Sequence, residues 1–177
     1  MKKNLTWIIS GAVLVIISII LIIVLSTGTN DKKDSKLTSD TIEACSLFTE
    51  AEAKSTLGSA AQKGTESGPN STKDIQASIC SYNNGSTDPA TFKTAAVIVR
   101  SPLSQKGANS NAAQFNKLQS SAKEVSGYGE KAYWSPVFGQ LNILKDNNWI
   151  TVYYGSLSPQ GRTLGDAEKV AKQALGQ

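Results

Sequence analysis

The residues of this chain that could do chemistry are two cysteines, a late cluster of aromatic side chains and scattered carboxylates; histidine is absent. Without histidine the chain lacks the commonest general acid–base group, the commonest metal ligand and the commonest pH-sensitive side chain. Two cysteines are also too few for a structural zinc site. We therefore expect no metal, no cofactor and no histidine-based catalysis.

The two cysteines, Cys45 and Cys80, form a natural pair. Their separation favours a structural disulfide in an oxidising compartment. The alternatives are two buried free thiols or a redox pair, although the C-x-x-C spacing typical of redox pairs is missing. A disulfide that closes a loop of about 35 residues stabilises a fold by roughly 3–4 kcal/mol in the chain-entropy model.

The aromatic cluster is the candidate binding surface. Alternation along residues 149–154 places Ile150 and Val152 on one face of a strand and Trp149 and Tyr153 on the other. Exposed aromatic rings can stack on a sugar or clamp a peptide, whereas the alternative is ordinary core and cross-strand packing. The predicted ligand or partner surface consists of Tyr128, Tyr133, Trp134, Trp149 and Tyr153.

Carboxylates are the remaining candidate catalytic groups. Two of them can hydrolyse a glycosidic bond, and Glu43, Glu124, Glu130 and Asp166 are available, but no motif surrounds any of them. Serine catalysis lacks both the Gly-x-Ser-x-Gly motif and a histidine base. We therefore predict a non-catalytic binding or interaction module. The alternatives are a histidine-free envelope hydrolase that uses paired carboxylates, and a purely structural domain.

The N-terminal region indicates where such a module works. Residues 7–25 form an uncharged run rich in isoleucine, leucine and valine, close to the ~20 residues that cross a bilayer. A cleaved signal peptide, with an apolar core of ~7–15 residues, is the alternative. Lys2 and Lys3 on a very short leading tail favour an inside N-terminus, although three linker lysines lie on the other flank. We predict an uncleaved single-pass membrane anchor with the following domain outside the cytoplasm.

The composition divides the chain into three parts. Residues 1–26 form a short cytoplasmic tail and the anchor, residues 27–40 a polar flexible linker, and residues 41–177 one extracytoplasmic domain. The net charge is +4, but residues 41–177 contain 13 basic and 11 acidic side chains. This mixed surface is not the basic footprint of a nucleic-acid-binding protein. The expected partners are the lipid bilayer, through residues 7–25, and an unidentified envelope protein, glycan or small ligand.

The elements that must position these residues follow from local patterns. Thr49 and Glu52 form a capping box for a helix that begins near Phe48 and stops at Gly58. The loop 58–73 precedes strands 77–82 and 92–100. After a polar loop to residue 111, we expect a helix over 112–122, strands over 131–135, 140–145 and 149–154, and a closing helix that starts at Thr163.

The order of these elements predicts the fold class. The strands come in runs, without the regular βαβ alternation of a parallel sheet. We therefore predict an α+β domain, in which an antiparallel sheet has its helices packed on one face. The Asp146-Asn147-Asn148 segment predicts a tight hairpin loop between the last two strands.

Three short segments resemble a known family. Residues 44–52, Ala-Cys-Ser-Leu-Phe-Thr-Glu-Ala-Glu, resemble the opening of small exported bacterial proteins of the DUF3558 type, mainly actinobacterial lipoproteins of unknown function. Cys80-Ser81-Tyr82 is similar to their second cysteine and its following aromatic residue, and residues 125–134 resemble their Gly-x-Gly-Asp-x-Ala segment. This chain differs in its predicted anchor, which replaces a lipidated cysteine, and in Glu130, which replaces an aspartate. The resemblance implies a disulfide-stapled envelope domain and brings no catalytic residues.

Overall fold

The computed structural model of the protein describes residue 37 and residues 41–119 and 122–177. The predicted anchor over residues 7–25 lies outside the described residues, as does the predicted linker apart from residue 37. Within the described part of the chain, no helix is both long enough and apolar enough to cross a bilayer.

A seven-stranded antiparallel sheet is the centre of the domain. Its strands are β1 (Gln62–Ser71), β2 (Ile75–Asn83), β3 (Thr94–Pro102), β4 (Lys123–Val125), β5 (Lys131–Ser135), β6 (Gln140–Lys145) and β7 (Asn148–Gly155). They lie in the order β1-β2-β3-β7-β6-β5-β4, and every pairing is antiparallel. Two meanders, β1 to β3 and β4 to β7, therefore join where β3 pairs with β7.

Among the described residues, four helices pack on this sheet. They are α1 (Ala44–Leu47), α2 (Glu50–Leu57), α3 (Gln105–Gln119) and α4 (Leu164–Leu175), and a 3-10 turn covers Pro159–Gly161. Residues of α1, α2 and α4 share one apolar cluster with Cys80 and with alternate residues of the central strands, such as Val97 and Val152. We call this side of the sheet the disulfide face.

Helix α3 lies on the opposite side, so the prediction that all helices pack on one face is wrong. The ring of Phe115 in α3 packs edge-on against Tyr133, at 4.8 Å between centroids, and against Trp149, at 6.2 Å. These two strand residues alternate with Trp134 and Ile150, which belong to the disulfide-face cluster. We call the α3 side the arginine face because both arginines of the chain lie on it. The α+β class and the antiparallel sheet are confirmed.

Two segments differ from the sequence-based assignment. Residues 62–71, expected as loop, form the edge strand β1, which is mostly exposed and has two register irregularities against β2. Such a polar edge strand has no buried face, so it lacks the alternation that identifies a strand. Helix α3 begins at Gln105, not at residue 112, because the Ser104 hydroxyl accepts a hydrogen bond from the N–H of Gly107 and caps the first turn.

Several local predictions are confirmed. Thr49 and Glu52 form the reciprocal capping box of α2. Thr163 caps α4 by accepting a hydrogen bond from the N–H of Asp166 at 3.2 Å. Asp146 and Asn147 both have positive φ angles, 50° and 63°, as the tight turn between β6 and β7 requires.

Candidate functional site

The two cysteines form the predicted disulfide. Cys45 and Cys80 are bonded, with their Cα atoms 5.0 Å apart. The bond joins α1 to the middle of β2, and Cys80 is fully buried. The disulfide therefore fixes the N-terminal helix of the domain against the sheet, which is a structural role.

The five aromatic residues predicted as a ligand surface are buried, and this corrects that prediction. Their exposed fractions lie between 2% and 8%. They also lie on two faces of the sheet, because successive side chains of a strand point to opposite sides. Tyr128 and Trp134 lie on the disulfide face, whereas Tyr133, Trp149 and Tyr153 lie on the arginine face.

On the arginine face, buried polar groups link neighbouring strands. The Trp149 indole donates a hydrogen bond to the Asn142 side-chain oxygen at 3.0 Å, and the Thr151 hydroxyl donates to the same oxygen at 2.9 Å. Asn142 is only 4% exposed. One asparagine oxygen thus satisfies two buried donors, as a polar interior requires.

Arg100, on β3, lies beneath α3 and is 5% exposed. Its Nη1 donates to the Gln114 side-chain oxygen at 3.0 Å, and its Nη2 donates to the Ser110 hydroxyl at 3.3 Å. The guanidinium carbon is 6.0 Å from the centre of the Trp149 ring. Burial lowers the pKa of Arg100 to about 10, so the group stays charged at neutral pH.

Arg162 lies at the other end of the same face. Its guanidinium carbon is 4.2 Å from the centre of the Tyr153 ring. Nε donates to the carbonyl of Ser156 at 3.0 Å, Nη2 to that of Leu157 at 3.3 Å, and Nη1 to that of Phe138 at 3.4 Å. Burial raises the pKa of the Tyr153 hydroxyl, and nearby Arg162 opposes that shift.

The β5–β6 hairpin tip, residues 136–139, carries the two most exposed large apolar side chains of the described domain. Val137 is 72% exposed and Phe138 46% exposed. Arg162 stabilises this tip by donating a hydrogen bond to the Phe138 carbonyl. A side chain at Gly139, which has a φ of +58°, would lie 2.8 Å from the Pro159 carbonyl oxygen, so the turn is tightly packed against the segment that carries Arg162.

The hairpin tip lies at the end of the sheet opposite the start of the domain. Ile42 exchanges hydrogen bonds with the Ser101 hydroxyl, at the last residues of β3. The tip continues from the Ser135–Gln140 pair, at the end of the sheet where Thr94 of β3 pairs with Gly155. At ~3.4 Å per strand residue, these two ends are about 24 Å apart.

Two of the four candidate carboxylates have defined hydrogen-bond partners in the structure. The Glu130 carboxylate accepts a hydrogen bond from the N–H of Asp146 at 2.9 Å. Asp166 binds Lys169 and the Thr163 hydroxyl, both at 2.8 Å. Among the described residues, no cluster of three metal-ligating side chains occurs.

The Asp166 carboxylate is held in its charged form by these contacts. The hydrogen bond from Lys169, and after it the one from Thr163, lowers the pKa of Asp166 below its ordinary value, against the effect of burial. A cleft beside the disulfide, lined in part by Glu43 and Glu66, has about 10 Å³ of free space. That is room for about one water molecule.

The sequence analysis missed the two arginines of the arginine face and the two apolar residues of the hairpin tip. Arg100 and Arg162 are the only arginines of the chain, and a charge that ends the apolar run 95–99 is a signal for a buried polar contact. Val137 and Phe138 are two apolar residues in a loop between Pro136 and Gly139. An apolar pair in a tight turn signals an exposed contact residue, because a hairpin tip has little core to join.

No protein-family model matches this chain, and neither a curated protein nor a solved structure matches it. The resemblance to the DUF3558 type therefore stays a prediction from three short sequence segments.

Proposed function

We propose that this protein is a membrane-anchored, non-catalytic binding module of the bacterial cell envelope. Residues 7–25 cross the lipid bilayer with the N-terminus inside, residues 27–40 are the linker, and residues 41–177 work outside the cytoplasm. The disulfide between Cys45 and Cys80 supports this location, because such bonds persist mainly in oxidising compartments.

The exposed hairpin tip is the observation that carries the binding role. Val137 and Phe138 project from a turn that Arg162 and the packed Gly139 hold in place. Because the tip is already ordered, little conformational entropy is lost when it enters a partner. Aromatic anchors that fill a pocket are typical of the residues that dominate binding energy at protein interfaces.

The chemistry of the tip favours a protein partner over a glycan. The side chains of Val137 and Phe138 offer no hydrogen-bonding groups, whereas a sugar requires several. The tip lies about 24 Å along β3 from Ile42, where the linker enters the domain. A partner held in the same envelope would meet the tip at a high effective concentration through the anchor.

Location is tested on intact cells of the native host. Protease added outside should remove residues 41–177 and leave a short membrane-embedded fragment, and the released domain should carry the Cys45–Cys80 bond. A full-length, reduced protein that is protected from the protease until the cells are opened would contradict the proposed topology.

Binding is tested with the full-length protein purified in detergent. The double substitution Val137→Ser with Phe138→Ser should abolish retention of the envelope protein that the wild type retains. Leu118→Ser is the matched control, since Leu118 is an apolar side chain of α3 with a similar exposure of 41%. Equal loss in both variants, or no loss in the double variant, would contradict a role for the tip.

A further inference from the structure

The two arginines of the chain have partners of different kinds. Arg162 donates to three backbone carbonyls, which are fixed by the fold. Arg100 donates to two side chains of α3, Gln114 and Ser110. Side-chain acceptors can rotate away from a cation, whereas backbone carbonyls cannot move without the chain.

Arg100 also keeps an unused donor. Its Nε is buried and has no hydrogen-bond partner, although the residue is only 5% exposed. Among the described residues, no carboxylate forms an ion pair with it. A buried charge is normally paired with an opposite charge, and a buried N–H is normally hydrogen-bonded, so this guanidinium has capacity for an anion.

Gln114 and Ser110, the two side chains that accept hydrogen bonds from Arg100, are also hydrogen-bonded to each other on α3. The Gln114 amide donates to the Ser110 hydroxyl at 2.8 Å, and both residues are half-buried. Their side chains therefore reach solvent along the seam between α3 and β3. An anion can approach from this seam and replace the neutral Gln114 oxygen, because a charged acceptor binds a guanidinium more strongly than an amide does.

We propose that Arg100 is a carboxylate-binding site at the seam between α3 and β3. A carboxylate matches the planar donor fork of the guanidinium, and the face of Trp149 limits the site on one side. The carboxylate comes from a small organic acid or from a peptide C-terminus. This site lies on the arginine face beneath α3, is separate from the hairpin tip, and does not depend on the proposed partner.

The test observes the two arginine Nε–H signals of the full-length, 15N-labelled protein in non-ionic detergent micelles at neutral pH. Arg162→Lys removes one signal and so assigns both. Acetate should shift the Arg100 signal with saturation and leave the Arg162 signal in place, whereas chloride at equal ionic strength should shift neither. Acetyl-Ala-Ala with a free C-terminus, compared with its amide, shows whether a peptide terminus also binds.

Gln114→Ala sharpens the test, because it removes the internal competitor at a half-buried helix position. The dissociation constant for acetate should fall several-fold in this variant. A shift at Arg100 that does not saturate, that equals the shift at Arg162, or that chloride reproduces would overturn the proposal. An unchanged dissociation constant in Gln114→Ala would overturn the role assigned to Gln114, and with it the proposal that an anion replaces the Gln114 oxygen at Arg100.

Discussion

Thr151 and Val152 are neighbours on β7, yet they face interiors of different chemistry. Val152 is fully buried among the apolar residues of the disulfide face. Thr151, 7% exposed, donates its hydroxyl to Asn142 on the arginine face. One sheet thus separates an apolar interior that three helices cover from a polar interior that α3 and the Arg162 segment cover.

The two faces of the sheet contribute to the fold in different ways. On the disulfide face, α4 contributes alanines and a valine, all buried, at helical spacing, and this burial is the dominant favourable term in folding. On the arginine face, α3 buries Phe115 and Ala108 but also Asn111, whose amide donates to the carbonyls of Arg100 and Asn147. Hydrogen bonds contribute less net free energy than apolar burial, and they fix position and direction.

The largest effect is expected from the disulfide. Replacing Cys45 and Cys80 together by alanine should lower the free energy of unfolding by about 3–4 kcal/mol, because the sequence separation of 35 residues closes a long loop in the unfolded chain. Urea unfolding of the two proteins measures this difference. A loss below about 1 kcal/mol would mean that the apolar packing of α1 already holds this end of the domain.

The next test compares the two neighbours on β7. Val152→Ala should lower the free energy of unfolding by about 2 kcal/mol, since it removes two buried methyl groups and leaves a cavity. Thr151→Val keeps the volume and removes one hydrogen bond, and Asn142 still accepts from Trp149, so the expected cost is about 1 kcal/mol. Equal costs, measured by urea unfolding, would show that the two interiors do not differ in the way described.

A smaller effect is expected at the cap of α4. The contacts with Lys169 and Thr163 lower the pKa of Asp166, so its charged form stabilises the fold above the pKa of the unfolded chain. This contribution disappears as the pH falls through the lowered folded pKa. Asp166→Asn should therefore lower the free energy of unfolding by about 0.5 kcal/mol at pH 7. This difference in stability from the wild type should shrink at pH values below about 4. A difference that is constant with pH would contradict the ionic contribution.

The smallest effect on stability is expected at the hairpin tip. Val137→Ser with Phe138→Ser removes two side chains of a surface turn, 72% and 46% exposed, so the free energy of unfolding should change by less than about 0.5 kcal/mol. Thermal unfolding measures this, and it also ensures that any loss of binding reflects the tip itself. A large destabilisation would place these residues in the core of the turn.

The sequence predicts the elements of this fold better than it predicts their relative arrangement. Alternation along β7 correctly separates Ile150 from Trp149, because side-chain direction in a strand is local. Whether the Trp149 side faces solvent depends on where α3 packs, and that is decided by residues distant in the chain, such as Phe115. The prediction that Tyr133 and Trp149 form an exposed surface is wrong for this reason, because Phe115 of α3 packs against both.

The residues of the candidate sites also show that local sequence patterns do not predict tertiary contacts. Arg100 is recognisable as a charge at the end of an apolar strand, but its lack of a carboxylate partner depends on the tertiary structure. The edge strand β1 has no apolar pattern and becomes a strand only because β2 offers an edge to pair with. The capping box of α2 and the tight turn at Asp146 and Asn147, by contrast, require only neighbouring residues, and these predictions are confirmed.

The most direct test of the proposed function is site-specific photo-crosslinking in the native membrane. A photoreactive residue at position 138 of the full-length protein should form one discrete adduct with an envelope protein. The same residue at position 71 should not, because Ser71 is exposed at the opposite end of the sheet, next to Gln76 and Ser101. Equal adducts at both positions, or none at position 138, would contradict a binding module that works through its hairpin tip.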